Sequence, residues 1–351
     1  MPQKRHASFW GLSEGLFRRG TAADDADCAD GSEISMLDPR HPCHPRLNFL
    51  KSQVKVMKMH PAGIKSGLSS VVWYVPLALL VGLVFVYPAL RTVGLSFFHQ
   101  SAANGFRTEF AGLANFQRLT GDSRLINSLR VTAIFTIVSV ALEFALGLIL
   151  ALAANGLMKG QDTVRTILLI PWTLPTAVIA VLWAWIFNDQ FGIINAILLR
   201  LKILSTPLSW LATAPGAMAA AIIADVWKTV PFVFIILLAG IQSIPSELYE
   251  AIEIDGGGSW AKFRFVTWPL LSPFAFIALI FRAIQAFAIF DLVYVMTGGG
   301  PGGGTETVSI YVYQTFMRYL DFGYGSSIAV AMVLFFGAFA AVLYRIVVRE
   351  V

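Results

Sequence analysis

Charge is scarce in this sequence. Of its 351 residues 13% are Asp, Glu, Lys or Arg and 56% are hydrophobic, with a mean hydropathy of +0.69. Soluble globular domains carry about 25% charged residues. A water-soluble chain of this composition would need an implausibly large core, so the deficit excludes an ordinary soluble domain and points to lipid as solvent. Cysteine is scarcer still: Cys28 and Cys43, both near the N-terminus, are too few for a disulfide framework. The glycine run Thr297 to Thr305 lacks the Gly-Lys-Ser/Thr ending of a phosphate loop, and no Walker A sequence occurs in the chain, so the sequence offers no phosphate-loop ATP site of its own. No clustered acid/base or metal constellation supports a membrane-bound enzyme or a metal site. The net charge of +5 comes from basic residues scattered among apolar runs. That excess suits anionic lipid headgroups and gives no nucleic-acid surface.

What is present is a series of long apolar runs. A transmembrane helix needs roughly 20 apolar residues to cross about 30 Å of hydrocarbon. Six stretches qualify, at about 71–95, 131–154, 164–187, 217–241, 273–296 and 326–348. They lack the apolar/polar alternation of a membrane barrel, which predicts an all-α polytopic membrane protein. Lys51, Lys55, Lys58 and Lys65 precede the first run without an acid among them, placing the N-terminus in the cytoplasm. Six spans return the C-terminus, with Arg345 and Arg349, to the same side. Residues 1–56 are polar and are expected to be a disordered tail, or a stretch upstream of a natural start at Met57 or Met59. No signal peptide is expected there, and residues 57–351 are read as the transmembrane domain.

The most informative segment is the loop at 244–272, between the fourth and fifth runs. Ser246 is expected to cap a short helix, with Glu247 in its first turn complementing the helix dipole. Leu248, Ala251 and Ile252 share a face at i, i+3, i+4 spacing. Gly256 to Gly258 permit a sharp turn, and a second short helix is expected from Trp260 until Trp268-Pro269 breaks it. The acids Glu247, Glu250, Glu253 and Asp255 argue against a helix lying on anionic lipid. They favour a cytoplasmic helix-turn-helix on which another protein docks.

These residues resemble the cytoplasmic signature of importer-type ABC permeases: Glu-Ala-Ala, three residues, Gly, nine residues, Ile, one residue, Leu-Pro. The matching positions are Glu250-Ala251-Ile252, Gly256, Val266 and Trp268-Pro269, with Ile252, Val266 and Trp268 as departures. Gly112-Leu113-Ala114-Asn115-Phe116, Trp227 to Phe232, Ala239 to Pro245, and Phe290-Asp291 followed by Thr297 to Pro301, Thr305 and Tyr311 extend the likeness over about residues 70–350. The pattern is similar to permeases of the maltose/trehalose/glycerol-phosphate carbohydrate type. The resemblance implies a bacterial cytoplasmic-membrane permease subunit that moves a sugar or sugar derivative by alternating access. It implies a homologous second permease, two ATPase subunits carrying ATP and Mg, and an extracytoplasmic solute-binding protein, with no cofactor on this chain. It also implies that Glu247, Glu250, Ala251, Asp255, Gly256 and Pro269 form the ATPase-coupling element.

Ionisable residues inside spans cost roughly 2.5–3.5 kcal/mol at a helix centre on insertion scales. Glu143, Asp225, Lys228, Arg282 and Asp291 are the cases, and each either faces a solute pathway, is paired between helices, or lies close enough to an interface to reach water, as Asp291 does near a span end. Arg282 lies nearest the middle of its span and most needs a partner or a wet cavity, with Gln285 one turn on. Trp183, Trp185, Trp227 and Phe287 are candidate aromatic faces for a sugar, or membrane anchors. The expected substrate pathway is therefore Trp183, Asp225, Trp227, Arg282, Gln285, Phe287 and Asp291. The glycine run at 297–305 is expected to be a flexible external turn near a docked binding protein, or a plain linker. The alternative to an ABC permease is an ion- or proton-coupled carrier using the intramembrane charges, which no internal inverted repeat supports.

Overall fold

A computed structural model of the protein describes residues 68–156 and 161–350. The chain divides into two units at Trp73/Tyr74, and of the first only residues 68–73, which are helical, are described. The polar segment 1–56 and its cysteines lie outside the described residues. In the second unit α1 (Tyr74–Leu95) leads into a short hairpin of β1 (Phe98–His99) and β2 (Glu109–Phe110), then α2 (Ala114–Gly121) and α3 (Ser123–Asn155). The chain continues through α4 (Gln161–Thr173), α5 (Thr176–Ile186), α6 (Ile193–Arg200), α7 (Ala214–Gln242), α8 (Ser246–Ile254) and α9 (Ser259–Phe287). It ends with α10 (Asp291–Thr297), α11 (Val308–Met317) and α12 (Phe322–Glu350).

Four of these helices, α1, α3, α7 and α9, are long and apolar enough to cross a membrane. A fifth candidate is the pair α4–α5, bent by 91° between Thr173 and Thr176. The expected straight helix over 164–187 is thus broken. Pro175 restricts Leu174 to non-helical backbone, and Pro171 already lies within the last turns of α4. The expected run 273–296 also divides: α9 stops at Phe287, and Asp291 opens the separate α10 with its carboxylate in the first turn. The last apolar run falls on α12, where side chains beyond Ala338 lie almost entirely outside the described residues.

Pro231 and Pro273 lie inside α7 and α9 without ending them, and two further prolines are accommodated by a widened turn. Pro88 and Pro269 each follow a π turn, Gly82–Val86 and Phe263–Thr267 respectively. The widened turn relieves the clash between the proline ring and the carbonyl four residues earlier. The break expected at Trp268-Pro269 is therefore absent, and α9 runs unbroken from Ser259 to Phe287.

The core is built where α3, α7 and α9 meet. Ala151, Ala154, Val233, Phe234, Leu237, Leu238, Ile241, Leu271, Ala275 and Ala278 form its largest buried cluster. The many alanines reflect lipid as solvent: tails are as apolar as leucine, so helices associate through close packing of small residues. By these contacts α3 and α7 run parallel and α9 antiparallel to both. Gly240 marks the closest approach of α7 to α9, where an added Cβ would lie 2.7 Å from Leu271 and Phe274 side-chain atoms. Gly240→Val is expected to cost about 1–3 kcal/mol by overpacking. A lowered Tm in detergent checks this, with Gly337→Ala, which meets nothing within 4 Å, unchanged.

The end of the bundle remote from α8 is tied by polar contacts. Asp122 caps α3, accepting from the backbone N–H of Arg124 and Leu125 at 2.9 and 3.1 Å. It also accepts from the Tyr311 hydroxyl at 2.5 Å and from the Tyr324 hydroxyl. Burial alone pushes the Asp122 carboxyl up, but the bonds from Tyr311, Tyr324 and the two N–H groups outweigh it and hold the group below its ordinary 3.8. A carboxylate depressed in the folded state adds stability above its unfolded value, and this is lost as pH falls through the folded value. Asp122→Ala is accordingly expected to cost about 1–2 kcal/mol near neutral pH. In a Tm series across pH the gap to wild type should narrow only below about 3.8.

The glycine run at 297–305 is an ordered turn in this cap, not a loose linker. The Thr297 and Thr305 hydroxyls share a hydrogen bond of 2.7 Å, and Thr305, Glu306 and Thr307 are buried. Glu306 accepts a bidentate pair from Arg124 Nε and Nη2 at 2.8 and 2.6 Å. The run fits close to α7 because a Cβ on Gly304 would meet that of Ala214 at 2.3 Å.

Candidate functional site

The 246–269 segment is a helix, a turn and the start of α9. Helix α8 begins at Ser246, but Pro245 holds the cap position and no side chain caps the helix, so Ser246 is its first residue and not its cap. Its inward side is Tyr249 and Ile252, both half-buried, while Leu248 and Ala251 are exposed. The face expected from Leu248, Ala251 and Ile252 is therefore rotated, because the wall it packs on is the start of α9. There Tyr249 Oη lies 3.1 Å from Thr267 Oγ1, and Lys262 pairs with Glu253.

The turn rests on two glycines. Gly256 adopts φ +77°, which L side chains rarely reach. Gly257 is crowded, since a Cβ there would sit 2.4 Å from Ile252 Cγ2. Glu247, Glu250, Ala251 and Asp255 are exposed, as is Pro269 on α9. Among them stand Ile254, 87% exposed, Trp260, 73%, and Phe265, 72%. Large apolar groups interleaved with acids on a projecting hairpin make a surface suited to a groove in another protein.

A second polar feature lies within the bundle. Arg282 on α9 is 3% exposed and donates from Nε and Nη2 to both carboxylate oxygens of Glu143 on α3, at 2.5 and 2.7 Å. Its Nη2 also reaches Asp225 Oδ2 on α7 at 3.0 Å, and its Nη1 reaches Gln285 Oε1 at 2.9 Å. The Ser139 hydroxyl lies 2.6 Å from Asp225 and 2.9 Å from Glu143, and Thr229 donates to Glu143 at 2.7 Å. The partner that Arg282 requires is therefore a pair of carboxylates on two other helices. Asp225 and Arg282 spend their hydrogen bonds on this cluster, and neither lines the cavity described next.

Beside the cluster lies an apolar cavity of about 680 Å³ between α3, α4, α5 and α7. Trp183 and Trp227 line it, edge to face at 5.8 Å, together with Pro171, Leu146, Val230 and Pro231. Lys228, the next residue on α7, donates to Thr176 Oγ1 and so anchors the start of α5 just past the bend. Trp185 is exposed and does not line this cavity. Phe287 packs on Phe335 and Phe336, away from this cavity. Gln285 and Asp291 are exposed. The seven residues expected along one pathway are thus divided: two tryptophans at a cavity, Asp225 and Arg282 in a buried ion cluster with Gln285 at its edge, and Phe287 and Asp291 apart. Among the described residues no group of three or more His, Cys, Asp or Glu could hold a metal ion.

Sequence reasoning placed Gly257 in the turn but did not foresee its crowding against Ile252, and it did not single out Tyr249, Thr267 or the Glu143 link. Gly257, Tyr249 and Thr267 become special only once the hairpin closes. Glu143 carried a signal, as an acid within an apolar run, but its partner lies 139 positions away.

The family model for the "binding-protein-dependent transport system inner membrane component" matches residues 143–351. The chain is 39% identical over 280 residues, 80% of its length and 90% of the relative's, to the sulfoquinovosyl glycerol transport system permease protein SmoG of Agrobacterium fabrum. It is 39% identical over 271 residues, 77% and 90% of the two chains, to the trehalose/maltose transport system permease protein MalF of Thermococcus litoralis. It is 32% identical over 277 residues, 79% and 93%, to the sn-glycerol-3-phosphate transport system permease protein UgpA of Agrobacterium fabrum. The fold matches a chain from the crystal structure of a bacterial ABC transporter involved in the import of the acidic polysaccharide alginate. That match has a TM-score of 0.63 at 19% identity and covers 87% of this chain and 99% of the other.

Proposed function

The chain belongs to the family of binding-protein-dependent transport system inner membrane components, and from that premise we propose that it is the permease subunit of an ATP-driven sugar importer. The observation that carries this reading is the agreement of two independent features. Relatives named as sugar permeases align over about four fifths of the chain, and the hairpin at 246–269 presents exposed acids and apolar groups around Gly256. A secondary carrier has no use for such a docking knob.

The proposed unit is residues 57–351 with six spans: α1, α3, the bent pair α4–α5 counted as one, α7, α9 and α12. Both termini are in the cytoplasm, on the side of the hairpin, as the lysines before the first span favour. Two ATPase subunits holding ATP and Mg dock on the 244–272 segment, with Glu247, Glu250, Ala251, Asp255, Gly256 and Pro269 forming the contact and its turn. A homologous second permease completes the pathway. A solute-binding protein delivers the sugar at the opposite end, beside the capped turn at 297–305. Trp183 and Trp227 offer aromatic faces for the sugar's C–H surfaces.

Alternating access follows from closure of the ATPase pair against the hairpin, which reverses the cavity. The binding protein fixes much of the substrate choice. Thermal-shift screening of that protein against trehalose, maltose, sulfoquinovosyl glycerol and glycerol 3-phosphate identifies the solute. A sugar or sugar derivative should raise its Tm; stabilisation by amino acids or metal ions alone would contradict the sugar assignment.

A further inference from the structure

We propose that Arg282 is the positioning residue through which movement of the 246–258 hairpin reaches α3 and α7, its paired carboxylates acting as a clamp that makes three helices move as one body. This rests on the function proposed above. The hairpin is fixed to the first turns of α9 by the Lys262–Glu253 pair and the Tyr249–Thr267 contact. From there α9 continues without a break to Phe287. At about 1.5 Å per residue Arg282 lies roughly 30 Å along this helix from Lys262. A push on the hairpin is therefore carried as a rigid displacement of α9 into the middle of the bundle. Immediately beyond, at Ala288, the helix ends, so the displacement has to leave α9 at or before that point.

The exit is the cluster. Toward the hairpin end α9 meets its neighbours through apolar contacts alone, Ala275, Ala278 and Leu271 against Val233, Leu237 and Ile241, which are non-directional and bind no one helix to another at a fixed point. Arg282 is different. It holds α3 by two hydrogen bonds to Glu143 and α7 by one to Asp225, with all three side chains nearly fully buried. A buried charge cannot exchange its partners for water, so the guanidinium and the carboxylates have to travel together. Ser139 and Thr229 hold the carboxylates in register from α3 and α7 themselves. Arrangements of this kind are weak as sources of stability and effective as devices that fix one geometry.

The test uses the assembled transporter, with its second permease and ATPases, in a background where Cys28 and Cys43 are serine. An environment-sensitive fluorophore is placed on the hairpin at Ser246→Cys, and in a parallel preparation on α3 at Ile137→Cys, both exposed positions. The probe ligand is Mg-ATP, so the result does not depend on knowing the sugar. In the otherwise wild-type transporter Mg-ATP should change the signal at both positions. With Arg282→Met, or with Glu143→Gln should the first variant fail to assemble, the hairpin signal should persist and the α3 signal should fall at least fivefold. An α3 response equal to wild type overturns the proposal. So does an equal loss at both positions, the sign of a merely structural role. If neither position responds to Mg-ATP without a substitution in the cluster, it is the importer reading that fails, and the clamp with it.

Discussion

Replacing Glu250 and Gly256 together with arginine is expected to reduce ATP-driven uptake by at least about 30-fold, matching the 2 kcal/mol or more that a docking hot spot contributes. The two substitutions act differently. Glu250 is exposed on α8, so Glu250→Arg is expected to invert the charge offered to a partner while leaving the hairpin intact. Gly256 sits at φ +77°, and an L side chain held there costs on the order of 1–3 kcal/mol of backbone strain. That strain tilts α8 relative to α9 and misdirects Ile254 and Trp260. The check is uptake into proteoliposomes with membrane insertion monitored in parallel. Insertion should be unchanged, because neither residue lies in the α3–α7–α9 core. Uptake at the wild-type rate with both substitutions present would remove the hairpin from the coupling mechanism.

Arg282→Met should destabilise the protein by about 3–5 kcal/mol, the usual consequence of removing one member of a buried ion pair. The loss is large because two carboxylates, Glu143 and Asp225, are left facing each other with only the Ser139 hydroxyl between them. Removing Glu143 as well relieves that repulsion. The double variant Glu143→Met/Arg282→Met is therefore expected to be less destabilised than the sum of the two single variants. Unfolding of the four proteins of this cycle in detergent measures the coupling directly. Additivity would mean that the bonds to Glu143 contribute no specific interaction.

How far the sequence discloses this architecture depends on how local each signal is. Hydropathy identifies α1, α3, α7 and α9 because a lipid-spanning helix declares itself in about 20 consecutive residues. The bend between α4 and α5 was equally local, written in Pro171 and Pro175, yet a hydropathy window averages over both. The opposite error arises at Pro269, where the expected helix break is absorbed by the π turn at Phe263–Thr267, a backbone adjustment with no composition signature. The hairpin is legible in outline from the acids, the glycines and the apolar spacing. Its facing is not, because packing on α9 rotates Tyr249 and Ile252 inward. The least legible feature is the ion cluster. Arg282, Glu143 and Asp225 each stand out as charges in apolar runs, but residues 57 and 139 positions apart acquire their pairing only from the helix arrangement.

The central claim is that movement through this chain is driven by ATP hydrolysed on partner subunits. The most direct measurement is accumulation of the solute that stabilises the binding protein, in proteoliposomes containing the assembled transporter, with ATP present or absent and with proton or sodium gradients imposed or collapsed. Accumulation should require ATP and the binding protein together, and should be indifferent to either gradient. Gradient-driven accumulation by this chain without ATPase subunits would contradict the account.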